Sequence, residues 1–349
     1  MSEKNKINCV KVSIGLVLLL FFQSAMAQYN FSDLDQKFIA AKKELGNNAI
    51  AMIYKDGKII YQKNLGDFTA KTQAPIASCS KWLTTALVLN FVDQGKLSLD
   101  DKVSKYIPLF SKYSKGYITI RDCLSDMTGL ASDASGIKKI FSKTQYKSLD
   151  EAVTDYAMKK EIISNPGLEF RYGSIGMDIA ARVVEIVGKR GFEQQMQERI
   201  TRPMLMRATS FSSLDGAVDP AAGALSSAND YMSFLSMILN KGVFNGKIIL
   251  SEKSINEMHV LRTNSSIIKY APKTTEGFNY GLGEWIQETD VIGKATVISC
   301  PSLTGTWPII DLCRGYGFIL FTNNLKESNR ELVFAMKALI EQQIPNNCK

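Results

Sequence analysis

Two short runs rich in apolar residues, Ala49 to Tyr54 and Ile59 to Leu65, flank Lys55-Asp56-Gly57-Lys58; this predicts two strands joined as a β-hairpin. Ahead of them Leu34, Phe38, Ile39 and Leu45 recur at helical spacing. With Asn30-Phe31-Ser32 as a start signal they predict a helix to about Leu45. From Ser78 to about Gln94 the helical period is strong, with Trp82, Leu83, Ala86, Leu87 and Phe91 in phase and Gly95 as the stop. The stretch from about Leu97 to Leu214 is mostly helical in pattern, with loops at Asp133-Ala134-Ser135-Gly136 and Ser164-Asn165-Pro166-Gly167. Another helix covers roughly Asn229 to Asn240. Strand patterns then return at Tyr280 to Gln287, Thr296 to Cys300, Trp307 to Leu312 and Gly317 to Phe321, before a last amphipathic helix from about Glu327 to Gln343. Strands at both ends and helices between them predict an α/β (α+β) fold. One sheet is built from residues of about 28–77 and 278–349, and a helical part of about 97–214 is inserted.

The first residues depart from this pattern. Lys4, Lys6 and Lys11 precede an apolar run from Val12 to Phe22, and Ala25-Met26-Ala27 follows with small residues at both recognition positions of a signal peptidase. That order predicts a secretory signal over residues 1–27 and an exported protein, periplasmic or secreted, with no stable membrane span afterwards. Removing the segment takes away three lysines and one glutamate, which lowers the formal charge of +8 by two, to +6. The basic residues are scattered and lack interleaved aromatics, so a nucleic-acid partner is not expected, although anionic envelope polymers fit the sign of the charge. Six cysteines include Cys9 in the expected signal, and no C-x-x-C or metal spacing links the others. Cys300 with Cys313 is the disulfide to test. His259 is the single histidine and has no motif around it. A Ser-His-Asp triad and a histidine zinc site are thereby disfavoured, no metal or cofactor is expected, and His259 is read as a surface residue at a helix end.

With histidine chemistry set aside, Ser78-Cys79-Ser80-Lys81 becomes the leading candidate. Residues three apart at the start of a helix face the same way, so the lysine amine can reach the serine hydroxyl. Burial and the positive end of the helix dipole disfavour a charged lysine, and a neutral amine can take the serine proton. S-x-x-K also occurs at Ser135 to Lys138 and Ser266 to Lys269, but only Ser78 opens a long apolar helix.

Pro75-Ile76-Ala77-Ser78-Cys79-Ser80-Lys81-Trp82-Leu83, with Asp93-Gln94-Gly95-Lys96-Leu97-Ser98-Leu99-Asp100-Asp101, resembles the nucleophile region of the penicillin-recognising hydrolases: class C β-lactamases, related esterases and D-amino-acid peptidases. Ile118-Thr119-Ile120-Arg121 through Thr128-Gly129-Leu130 resembles a later loop of that family, with Asp126 where a histidine is common. Ala222-Gly223-Ala224-Leu225-Ser226-Ser227 and Tyr280-Gly281-Leu282-Gly283 also match, so the resemblance covers nearly the whole chain after residue 27. It implies a central antiparallel sheet of the β-lactamase/transpeptidase type flanked by helices. It also implies that Tyr172, in Pro166-Gly167-Leu168-Glu169-Phe170-Arg171-Tyr172-Gly173-Ser174, shuttles protons, with Ser174 contacting substrate or Lys81. Tyr-x-Ser recurs at Tyr146 and Tyr231, and the Pro-Gly turn selects Tyr172.

The family's third element, Lys-Thr-Gly or His-x-Gly on a strand facing the serine, falls in register on Cys300-Pro301-Ser302. The usual cation and glycine are absent there. The resemblance still implies an oxyanion site from the N–H groups of Ser78 and Leu303, with Cys300, Ser302 and Thr304 beside the substrate. Three functions fit: a hydrolase of a small ester, amide or peptide working through an acyl-enzyme; a β-lactamase or D,D-peptidase; and a ligand-binding relative that has lost turnover. A missing cation weakens recognition of a substrate carboxylate, which favours the first. Oligomeric state is not readable from the chain.

Overall fold

The protein is represented by a computed structural model that describes residues 29–131, 146–211, 216–325 and 329–348. The expected signal at 1–27 and the S-x-x-K at Ser135 to Lys138 lie outside the described residues. The folded unit runs from Phe31 to Lys349.

The predicted hairpin forms from β1 (Ala49–Lys55) and β2 (Lys58–Leu65), turned by Asp56 and Gly57, both at positive φ. Five more strands come from the end of the chain: β3 (Asn279–Tyr280), β4 (Trp285–Thr289), β5 (Ala295–Ser299), β6 (Trp307–Asp311) and β7 (Tyr316–Thr322). Together they make one antiparallel sheet in the order β2-β1-β7-β6-β5-β4-β3. Seven consecutive pairs, from Ala49 with Thr322 to Lys55 with Tyr316, join the two chain ends. Every residue of β6 and β7 is buried, as expected of central strands covered on both faces.

Both covers are helical. The helix α1 (Ser32–Ala40) packs on α5 (Arg330–Gln343), whose Phe334 meets Trp307 on one face of β6. Between them in the chain lie α2 (Ser80–Asp93), α3 (Ile175–Gly188) and α4 (Ala228–Leu239). α4 lies on the other face, where its Leu235 and Leu239 cover Gly317 of β7. α2 is enclosed: all its residues from Ser80 to Leu89, and Phe91, are buried. A helix apolar on every side is a core helix. Its Trp82 stacks edge-on against Phe234 of α4. Among the described residues no helix is long and apolar enough to cross a membrane.

Four boundaries differ from expectation for local reasons. The first helix stops at Ala40, and turns carry the chain to Gly46 and Asn47, both at positive φ. The α-helix predicted from Ser78 begins at Ser80, after a 3₁₀ turn over Ala77–Cys79. The strand expected from Tyr280 to Gln287 is broken by a turn in which the Gly281 N–H donates to the Glu284 carbonyl. The last helix begins at Arg330 rather than Glu327.

Cys313 is bonded to Cys348, not to Cys300. Cys300 follows β5 and Cys313 follows β6; these strands run antiparallel, with Ser299 opposite Ile309 and Val297 opposite Asp311, so the two cysteines sit at opposite ends of the pair. Cys79, Cys123 and Cys300 are free and buried.

The Cys313–Cys348 bridge closes a loop of sequence separation 35 and ties the tail after α5 to the sheet. Cys348→Ser is expected to lower unfolding free energy by about 2–4 kcal/mol, the usual cost of opening such a loop. Urea denaturation of the oxidised protein and the variant measures it.

Candidate active site

The 3₁₀ turn ahead of α2 presents Ser78. Ala77 is held at φ +41°, a conformation that costs a residue with a side chain roughly 1–2 kcal/mol and persists only when neighbours impose it. Those neighbours are identifiable. The Ile76 N–H donates to the Ala224 carbonyl (3.0 Å), and the Cys79 N–H to the Ile76 carbonyl (3.1 Å). The Tyr231 hydroxyl donates to the Cys79 carbonyl (2.9 Å). The Cys300 thiol donates to the Ser78 carbonyl (3.3 Å), while the Cys79 thiol donates to the Cys300 carbonyl (2.9 Å). Ser78 alone in this turn remains half-buried.

One helical turn on, Lys81 is 3% exposed. Its ammonium donates to the Ala221 carbonyl (3.3 Å) and lies 4.5 Å from the centre of the Tyr172 ring. The stretch 219–224 is fitted closely to α2: Thr84 donates to the Pro220 carbonyl (2.7 Å), and the Ala224 N–H to the Ser80 hydroxyl (3.0 Å). Asp219 folds this turn by accepting from the N–H groups of Ala221 and Ala222 (both 2.9 Å).

Tyr172 is buried against Tyr280 and Trp285, at ring distances of 6.0 and 5.1 Å, and its phenol faces Ser78. Burial pushes Tyr172 up to about 12, against the pull of the Lys81 charge and the Ser78 side chain. For Lys81 burial works against the charged form, but Tyr172, Asp126, Asp219 and Cys300 outweigh it and hold the amine above the usual lysine value. Burial also pushes Cys300 up to about 12, so at neutral pH Tyr172 and Cys300 are uncharged and the counter-charge facing Lys81 comes from carboxylates, Asp126 gaining its charge as pH rises through about 7. These charges favour the ammonium at Lys81, beside the Tyr172 phenol.

Ser174 begins α3 and is half-buried. Across from Ser78, Cys300 and Thr304 are 1% and 2% exposed. The Ser302 and Thr304 hydroxyls bond each other (2.7 Å) within a turn closed by Ser302 N–H to Thr306 carbonyl (2.9 Å) and Gly305 N–H to Ser302 carbonyl (3.1 Å). Among the described residues the Leu303 N–H, inside that turn, meets no backbone carbonyl. Arg314 is no substitute for the missing cation. It lies past the far end of β6 from Thr304 and is tied to Asp311 (3.1 Å) and the Ile344 carbonyl (3.1 Å).

The structure thus brings Ser78, Lys81, Tyr172 and the 300–304 turn into one neighbourhood, with Ser174 two residues beyond Tyr172 in the chain. The other motif copies serve elsewhere. Ser266 bonds Asn264 and Lys269 bonds the Ser266 carbonyl, both in an exposed stretch, and the Tyr146 hydroxyl bonds Asp155. Tyr231 is different: the sequence reading passed over it, yet it braces the carbonyl next to Ser78. Asp219 was missed because its neighbour on α2 is far away in sequence. His259 ends a helix as expected but is not at the surface; it lies against the buried Glu284 (2.7 Å), with 10% of its side chain exposed. Among the described residues no cluster of His, Cys, Asp and Glu suits a metal ion.

A model of the family described as Beta-lactamase matches residues 36–339. Of curated proteins, Protein flp of Staphylococcus aureus (strain MW2) is 30% identical over 174 residues, covering 47% of this chain and 34% of that protein. The teichoic acid D-alanine hydrolase of Staphylococcus aureus is 30% identical over 193 residues, covering 52% and 46%. The chain therefore spans less than half the length of these relatives. The crystal structure of a putative beta-lactamase from Bacteroides dorei DSM 17855 superposes with a TM-score of 0.80 at 27% identity, covering 90% of this chain and 98% of that one.

Gly283, at φ +67°, rests on the helix that carries Lys81: a Cβ there would lie 2.0 Å from Thr85 Oγ1 and 3.0 Å from the Lys81 carbonyl. Gly283→Ala is expected to destabilise the protein by about 2–4 kcal/mol, from overpacking plus backbone strain, as read by urea unfolding.

Proposed function

The chain belongs to the Beta-lactamase family, and we propose that within it the protein is an exported serine hydrolase that cleaves a small ester or amide through an acyl-enzyme on Ser78. The convergence of Ser78, the Lys81 ammonium and the Tyr172 phenol at the head of a buried helix carries this reading. The Ser78 oxygen attacks the carbonyl carbon, and its proton passes to the Lys81–Tyr172 pair. The carbonyl oxygen, now negative, is held by the N–H groups of Ser78 and Leu303. The pair returns the proton to the leaving alcohol or amine, whose bond to the acyl carbon breaks. A water then gives its proton to the same pair and attacks the acyl carbon; the bond to the Ser78 oxygen breaks, the pair returns the proton to that oxygen, and the acid leaves. Both groups of the pair start protonated, so one proton must leave before the cycle begins.

Charge selects among substrates. A β-lactam or a D-alanine-terminated peptide carries a carboxylate that a cation at position 300 would bind, and Cys300 supplies none. The bonded thiol of Cys300 and the buried hydroxyl of Thr304 support the turn, which leaves Ser302 and Ser174 as the side chains for substrate contact. An ester linked to an anionic envelope polymer agrees with the basic chain and with the name of the staphylococcal D-alanine hydrolase. The Cys313–Cys348 bridge agrees with an oxidising compartment. Loss of turnover remains the competing reading, motivated by the same Cys300-Pro301-Ser302.

A fluorophosphonate probe followed by peptide mapping is expected to mark Ser78, and Ser78→Ala to remain unlabelled. Hydrolysis of p-nitrophenyl butyrate should fall on the order of 10³-fold or more in that variant. Labelling that survives the substitution overturns the assignment, and nitrocefin turnover matching ester turnover overturns the substrate preference. Because burial and charge hold Lys81 and Tyr172 above their usual values, ester hydrolysis should rise with pH from 7 and still be climbing at pH 9. A rate profile over pH 5–10 measures this.

A further inference from the structure

The loop from Leu124 to Leu130 acts as a template for the segment that bears Tyr172. The Gly283 N–H donates to the Leu124 carbonyl (2.9 Å), the Arg171 N–H to that of Asp126 (3.0 Å), the Gly167 N–H to that of Met127 (2.9 Å) and the Ile163 N–H to that of Gly129 (2.9 Å). The fit leaves no slack: a Cβ on Gly129 would stand 2.2 Å from the Ser164 carbonyl oxygen. Within this loop Asp126 takes φ +54°, a conformation aspartate tolerates better than most residues.

That conformation turns a carboxylate inward. Asp126 is 6% exposed, and its Oδ2 has no hydrogen-bond partner. The Gly173 N–H, next to Tyr172, faces the carboxylate and favours its charge. The Tyr280 hydroxyl, on β3, also lies close and has no well-formed hydrogen bond of its own. Lys81 faces it from α2, Cys123 from the preceding helical turn, and Tyr172 and Cys300 from across the site. A cavity of about 10 Å³, room for one water, adjoins Asp126 and is bordered by Glu169 and Arg171, which pair with each other (3.1 Å). Lys81 is thus the cation that the carboxylate is free to balance. A buried carboxylate with an idle oxygen is costly and persists where its charge is used.

We propose that Asp126 is a positioning residue of the acylation machinery: it holds the backbone on both sides of Tyr172, and its charge sets how readily Lys81 releases its proton. The inference rests on the Ser78–Lys81–Tyr172 reading above. Burial raises Asp126 to about 7, so above neutrality it is ionised. An anion beside Lys81 favours the ammonium, so removing the anion must let the proton leave at lower pH. The effect on stability runs differently. A carboxyl with a raised folded value makes the fold weaker as pH climbs from about 4 through 7, so an uncharged residue at 126 relieves that loss.

The test is the rate of fluorophosphonate labelling of Ser78 from pH 5 to 11 in wild type, Asp126→Asn, Asp126→Glu and Asp126→Ala. The asparagine variant keeps an acceptor for the Gly173 N–H. Its rising limb is expected about one pH unit or more below wild type, and it should melt no lower than wild type at pH 8. The glutamate variant keeps the charge, and its limb should stay near that of wild type. The alanine variant should label at least tenfold more slowly at its plateau than the asparagine variant, because the side-chain half of the clamp, at the Gly173 N–H, is lost while the backbone bond from Arg171 remains. Should asparagine prevent folding, Asp126→Ser carries the same comparison. Coincident limbs in wild type and the uncharged variants overturn the proposal while leaving the acyl-enzyme reading intact. Failure of wild type to label at Ser78 overturns both.

Discussion

A lysine cannot sit at the centre of a protein without counter-charge, and the whole site is arranged around meeting that demand for Lys81. The ammonium is compensated from three stretches remote in sequence: Asp126 in one loop, Asp219 and the Ala221 carbonyl in a second, and the Tyr172 ring in a third. Each stretch is in turn fastened to its neighbours by backbone hydrogen bonds. The geometry that positions Ser78 and the electrostatics that tune its partners are therefore one construction. Loosening any of the three loops disturbs both.

The fold was readable because its determinants are local. Hydrophobic period distinguished the hairpin from α2, and the return of strands after residue 278 indicated a sheet shared by the two ends. The sheet's internal order was not readable, since it depends on pairings such as Ala49 with Thr322. Ser78 and Lys81 were legible from spacing and helix context, and Tyr172 from the order of matching segments. The protonation of Lys81 was not. Burial alone predicts a neutral amine, and the opposing charges come from residues 45 and 138 positions further along. Tyr231 was invisible for the same reason: its tripeptide carries no signal, and its role depends on where α4 docks. The disulfide was misjudged because spacing says nothing about which ends of antiparallel strands meet.

The turn opposite Ser78 shows how a departure from a family pattern is absorbed. Where the family resemblance leads one to expect a charged or imidazole side chain, the Cys300 thiol stands and spends its proton on the Ser78 carbonyl. The reciprocal bond from the Cys79 thiol ties the turn to the helix. Two weak donors thus hold the spacing between Ser78 and the opposing turn. The turn is thereby fixed against the helix with no cation at position 300.

The pairing of β1 with β7 also constrains time. Residue 49 cannot meet residue 322 until the last strand of the sheet has been made, so β1 waits for β7. Closing a loop of that length is entropically slow, and an early strand left open meanwhile offers its edge to other chains. Until β7 pairs with it, β1 is covered along one edge only, by β2.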